Sequence, residues 1–121
     1  MNTPEETILR SILKTHNRGP VRLFRNTCAV GWVGELVSVR DGFTMLRNAR
    51  RNSFGLAVGS GDLIGWVTKP DGVAQFVSLE VKAPKGRVRE EQLAWDEAVR
   101  RSGGRSGIVR SVDEAGEVIG V

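Results

Sequence analysis

The spacing of apolar and polar positions changes several times along this chain, and each change predicts an element. After Thr3-Pro4-Glu5-Glu6, the residues Ile8, Leu9, Ile12 and Leu13 recur at helical spacing. Thr3 as N-cap, Pro4 at the first helical position and Glu6 as the acid of a capping box open this helix, and Gly19-Pro20 ends it. In "VRLFRN", residues 21–26, apolar and basic residues alternate, the period of a strand with one wet face. Gly-containing "TCAVGWVG" follows, then "ELVSVRDGFTML" (35–46) predicts a hairpin about Asp41-Gly42, with "RNARRNS" after it as a basic, turn-like loop. Beyond "FGLAVGSG", a second hairpin is predicted from "DLIGWV", the turn "TKPDG" and "VAQFVSLEVK". Val88 to about Arg101 predicts a helix stopped by Gly103-Gly104, and "SGIVRSV" a last short strand. The order α-β-β-β-β-β-α-β, without repeat, low-complexity tract or linker, predicts one mixed α/β domain over residues 1–121.

One strand departs from its own pattern. In "AQFVSLEVK", Val77, Leu79 and Val81 share the core face, while Phe76, Ser78, Glu80 and Lys82 share the other, which begins apolar and turns charged before Ala83-Pro84-Lys85-Gly86 breaks the chain. Half-buried charge at that place costs several kcal/mol per ion unless a partner compensates, and a metal ion with a phosphate would. The turn "KPDG" folds the preceding strand back, so that Asp62, just after Gly59-Ser60-Gly61, comes to the same end of the hairpin as Glu80. Two carboxylates, a backbone carbonyl and waters suit a hard octahedral cation such as Mg²⁺. Glu5 lies near the centre of the first helix's apolar stripe and points inward, whereas Glu6 falls on its edge and is explained as a cap. Gln92, on a stripe with Val88, Trp95 and Val99, is a polar group on a buried side and needs a partner, for which the acidic site is available.

Charge sharpens the picture. The chain carries a net +4 and a pI near 10.0, and fourteen of its eighteen basic residues are arginines, whose planar fork suits phosphate; nucleic acid is therefore preferred to a membrane surface as partner. No apolar run approaches the roughly 18 residues of a membrane span. No secretory or lipidation signal is visible at "MNTPEETILR". One cysteine, Cys28, and one histidine, His16, exclude an internal disulfide and argue against a zinc cluster, which fits a reducing cytosol.

With Asp62, Glu80, Val81 and Lys82 assembled, the pattern D…ExK resembles the PD-(D/E)XK nuclease superfamily. "RLFRNTCAVGWVG", "FGLAVGSGDLIGW", "LEVKAPKGRVREEQLAWDEAV" and "GGRSGIVRSVDEA" are together similar to the small phage-type VRR-NUC proteins, virus-type replication-repair nucleases, over nearly the whole chain. The resemblance implies a restriction-endonuclease-like fold, a central mixed β-sheet flanked by helices. It also implies that Asp62 and Glu80 are the metal-binding acids, Lys82 the catalytic lysine, Gln92 the glutamine of the following helix and Glu5 the acid of the first helix. Arg25 and Asn26 match an Arg-Asn pair near the site. Gly61-Asp62 stands for the "PD" of the superfamily name, and the short "GEVIGV" implies an abbreviated closing helix.

The expected activity is Mg²⁺-dependent hydrolysis of DNA phosphodiesters, with Mn²⁺ as substitute and the metal held by Asp62, Glu80 and the Val81 carbonyl. Arg47, Arg50 and Arg51, with Arg22, Arg25, Lys85, Arg87 and Arg89, are expected to track the DNA backbone. The family resemblance implies a homodimer resolving four-way Holliday junctions in the cytoplasm, that of a bacterial host if phage-encoded, and Trp32, Phe43 and Met45 are candidates for the dimer surface. Nicking, flap cutting, nonspecific degradation and a noncatalytic DNA-binding module on the same fold are the alternatives.

Overall fold

Thr3 opens the first helix as the sequence predicts: its hydroxyl accepts the Glu6 N–H at 3.1 Å, and α1 runs Pro4–His16 with Leu9 and Ile12 buried. The computed structural model describes residues 3–121. Met1 and Asn2, the start of the stretch read for a targeting signal, lie outside them. β1 (Val21–Arg25), β2 (Ala29–Arg40), β3 (Phe43–Phe54), β4 (Leu63–Thr68), β5 (Ala74–Val81), α2 (Glu90–Arg101), β6 (Arg105–Val109) and α3 (Val112–Ile119) follow. Two compact units are distinguished by their contacts, Thr27–Leu56 and the rest of the chain.

The larger unit is built on a four-stranded sheet in the order β1-β4-β5-β6. β1, β4 and β5 are antiparallel and β6 joins β5 in parallel, so the sheet is mixed as expected. Val77, Leu79 and Val81 are fully buried with Leu63, Leu23, Val21 and Val109 on the face that α1 and α3 cover, through Leu9, Ile12, Ala115 and Ile119. Gly65 lets β1 and β4 approach closely: a Cβ there would stand 1.7 Å from the Arg22 carbonyl oxygen. The second hairpin closes as predicted, with the Lys69 N–H donating to Val73 O at 2.9 Å and Gly72 at φ 86°.

The smaller unit is the hairpin β2–β3, turned by Asp41 and Gly42 at φ 51° and 81°, the left-handed pair such a turn requires. The expected loop "RNARRNS" is strand instead, inside β3. Its turn signal is real but marks an irregularity: Asn48, at φ 53°, sits where the register slips between Val33/Arg50 and Glu35/Arg47. Pairing on both sides of the slip carries the ladder through residues of low strand propensity.

Two further departures concern the helices. α2 starts two residues later than predicted, because Arg89 is extended and its N–H is capped by the Gln92 side chain at 2.9 Å. The short closing helix that the resemblance implies is present over residues 112–119, but it begins at Val112, inside the predicted last strand, capped where the Ser111 hydroxyl accepts the Glu114 N–H. No helix among the described residues is long and apolar enough to cross a membrane.

Candidate active site

Two strand ends and a loop build the site. The 57–61 loop is tied down by Asn26, whose amide donates to Ser60 Oγ and to the Gly61 carbonyl, each at 2.8 Å. The Asn26 backbone N–H donates to Asp62 O at 2.8 Å, extending the β1–β4 pairing to the acid itself. Only glycine fits before that acid: a Cβ on Gly61 would lie 2.4 Å from Ser78 Oγ and 2.9 Å from Leu79 O. The proline of the superfamily name would bring ring atoms into the same space.

Asp62 and Glu80 meet as the hairpin predicts, since the register pairs Leu63 with Leu79 and places their neighbours abreast. Asp62 Oδ2 accepts the Val81 N–H at 2.8 Å. Glu80, 8% exposed, accepts the Gln92 amide on Oε1 at 2.6 Å, and Lys82 Nζ stands 3.8 Å from the same oxygen. Gln92 is fixed at both ends, by Glu80 and by the Arg89 N–H, so the buried polar residue read from the helical stripe has two partners.

Burial is the main cause that raises both acids. It lifts Asp62 above the ordinary carboxylate range against the Val81 N–H, with Glu5 adding repulsion and Lys82 opposing it. Glu80 is pushed up to about 7, by burial first and then by the Asp62 charge, with a hydrogen bond between the two carboxyls and the charge of Glu5 adding to it and Lys82 opposing. The crowding of charge that raises both acids is what a bound cation would relieve. A half-buried carboxyl just ahead of β4 and a buried one on β5 fit a hard, oxygen-seeking divalent ion. Among the described residues no group of three or more His, Cys, Asp or Glu side chains forms a ligand cluster, so the donor set is this pair, with Glu5 acting on it through space.

The basic and polar candidates fare differently. The Glu6 carboxyl, expected to complete the capping box, instead binds two arginines: Arg25 Nη2 reaches its Oε1 at 2.6 Å and Arg10 Nε the same atom at 3.0 Å, holding the carboxyl below its usual range. Arg25 is therefore engaged by α1, and Asn26 is a positioning residue of the loop. Lys85 and Arg87 are exposed in the segment after β5. Arg47, Arg50 and Arg51 lie on β3 of the other unit, opposite Glu35, Val33 and Trp32. Two contributors escaped the sequence reading. Ser60 ties its loop internally, donating to Ala57 O at 2.6 Å, and Arg110 Nη1 holds the turn beyond Lys82 by the Ala83 and Pro84 carbonyls at 2.5 and 3.2 Å. No sequence signal pointed to Arg110, whose partners are 26 and 27 positions away.

A family model for the VRR-NUC domain matches residues 5–113, from Glu5 through every residue of the site and past β6. No curated protein and no solved structure matches the chain. With the mixed sheet, the paired carboxyls and the adjacent lysine in place, that match settles the family: the chain belongs to the VRR-NUC domain proteins, nucleases of the PD-(D/E)XK type.

Proposed function

We propose that this protein is a metal-dependent DNA endonuclease acting on branched DNA, a four-way junction resolved by a homodimer, and that Asp62, Glu80 and Lys82 carry the chemistry. What supports this is the convergence of Asp62 and Glu80 in a half-buried notch, with Lys82 beside them and Gln92 locking Glu80. Asp62, Glu80 and the Val81 carbonyl would hold Mg²⁺, with Mn²⁺ as substitute, which supplies Lewis acidity and a water of lowered pKa at the phosphate.

The chain's own residues set the geometry. The Val81 N–H and the Gln92 amide fix the two carboxyls before substrate arrives, so little reorganisation remains for the reaction. The Lys82 ammonium, 3.8 Å from Glu80 Oε1, would orient the attacking water or offset charge developing on the phosphate. Glu5, whose charge acts on both acids, would complete a second metal position or hold a water at the metal. Asn26 and Ser60 keep Asp62 on station. Lys85, Arg87 and the β3 arginines Arg47, Arg50 and Arg51 would engage phosphates of the DNA backbone, in keeping with the chain's net +4. A four-way junction needs two matched incisions, which a pair of protomers related by two-fold symmetry supplies.

Four-way junctions, flaps and linear duplex incubated with Mg²⁺ test this. Wild type should make paired, symmetric incisions at the junction. Asp62→Ala should reduce cleavage on the order of a thousandfold while keeping DNA binding, because removal of a negative charge does not weaken attraction to phosphate. Cleavage retained in Asp62→Ala refutes the site. Single nicks, flap cutting or general degradation by wild type refute the junction and leave a different nuclease. Binding without divalent-metal-dependent cleavage leaves a DNA-binding module.

A further inference from the structure

The sheet face that carries Glu80 is only half covered. Register sets Arg22, Trp66 and Phe76 abreast across β1, β4 and β5, and Phe24, Ile64 and Ser78 abreast one step nearer the carboxylates. Helix α2 lies over the β5–β6 half, where Trp95 bonds Ser78 and Asp96 bonds Ser106. The other half is left to solvent: Phe24, Trp66 and Phe76 are 54%, 40% and 39% exposed. Phe24 and Trp66 touch, with ring centroids 5.7 Å apart. Past Phe76 the apolar strip runs into a hollow of about 360 Å³ against Trp95, Ala98 and Val99 of α2.

The strip's size and surroundings say what fits it. At ~150–250 Å² per aromatic side chain the exposed fractions leave roughly 300 Å², well below the ~800 Å² per partner of a standard protein interface. It leads along the strands to Asp62 and Glu80, with Lys82 at that end and, at the other, Arg22 opposite Trp66 in the register, its Nη1 donating to the Gly19 and Val21 carbonyls. Aromatic rings on an open sheet face between cations are the requirement for stacking nucleobases while the phosphates are held, and such stacking tolerates any base.

Resting on the nuclease reading above, we propose that Phe24, Trp66 and Phe76 form a stacking platform for unpaired bases of the strand presented to Asp62 and Glu80. The favoured substrate is then DNA with unpaired or frayed nucleotides beside the cut, as at a branch point, rather than continuous duplex.

The test reads binding without cleavage. Fluorescence anisotropy in EDTA, with labelled oligothymidine and labelled duplex of equal length, compares wild type, Trp66→Phe and the double variant Phe24→Ala/Trp66→Ala, each checked for folding by thermal melting. The double variant should lose oligothymidine affinity by about tenfold or more, duplex affinity should stay within about threefold, and Trp66→Phe should retain most of the binding. Equal loss on both probes, unchanged oligothymidine binding, or a wild type that ignores oligothymidine overturns the platform. So does a drop in sedimentation mass with both affinities intact, which gives the face to a second copy of the chain. Retained cleavage in Asp62→Ala would sink the assigned chemistry and leave this binding difference standing.

Discussion

The sheet unit and the β2–β3 ribbon draw on the same residue classes and end opposite in burial. In the sheet, Leu63, Val77 and Leu79 are wholly hidden, and buried Ser78, Gln92, Asp96 and Ser106 are each hydrogen-bonded. In the ribbon no residue of either strand is buried, and Trp32, Leu36, Val39, Phe43 and Met45 are all more than 60% exposed. The ribbon is held by its turn, its ladder and a few local fits, such as the Phe54 ring 3.0 Å from where a Gly31 Cβ would be. A two-stranded hairpin is marginal in water. The difference teaches where stability resides: the sheet unit carries the buried core that supplies the folding free energy, while the strands of the ribbon bury none of their residues.

Substitutions in the two units should therefore differ most in stability. Gly65→Ala should have the largest effect, loss of the cooperative fold, because its Cβ would overlap the Arg22 carbonyl. Leu79→Ala should cost ~2–5 kcal/mol, and Leu36→Ala in the ribbon ~0.5 kcal/mol or less. Urea unfolding followed by circular dichroism checks the order. Similar losses for Leu79→Ala and Leu36→Ala would break the comparison and show that the ribbon has a core of its own in solution.

The next effect belongs to the site, where burial works against stability. Because Glu80 is pushed from 4.5 up to about 7 in the fold, the folded protein binds more protons than the unfolded chain between those values. This contribution is fully present below about pH 4.5 and is lost as pH rises through 7, so metal-free stability falls over that window. The raised Asp62 acts in the same direction. Glu80→Gln should raise the melting temperature at pH 8 by several degrees, a few kcal/mol at most, and abolish cleavage. Mg²⁺ should stabilise wild type at pH 8 but not Asp62→Ala. Parallel melting curves for wild type and Glu80→Gln across this range would show that the carboxyl is not under strain.

Much of the site was legible because its pattern is local: Glu80, Val81 and Lys82 are consecutive, and the "KPDG" turn fixes where Asp62 falls. Gln92 was legible as the polar exception on an apolar stripe, and its partner is the predicted one. The closing helix was expected only in abbreviated form, from the resemblance; that it starts as early as Val112 was not read, although Ser111 and Glu114 have capping-box spacing, because the strand reading "SGIVRSV" ran over its start. Asn48 misled for a different reason, since a left-handed Asn serves a bulge as well as a loop end. The Arg25–Glu6 pair and the Arg110 clamp depend on tertiary proximity alone, to which no spacing rule applies.

The smallest effect tests what the ribbon does. Arg40, Arg47, Arg50 and Arg51 stand there against only Glu35 and Asp41, and Arg51 lies directly opposite the exposed Trp32. Two-stranded ribbons of this width enter DNA grooves, and each phosphate contact contributes about −0.9 to the slope of log affinity against log salt. Reversing Arg47, Arg50 and Arg51 together to Glu should therefore flatten that slope by up to ~3. The melting temperature should move little, since no buried group depends on these side chains. Duplex and junction binding titrated from low to physiological salt measures the slope. If it is unchanged while affinity holds, the arginines form a solvated face, and phosphate contact resides in the sheet unit, with Lys85 and Arg87.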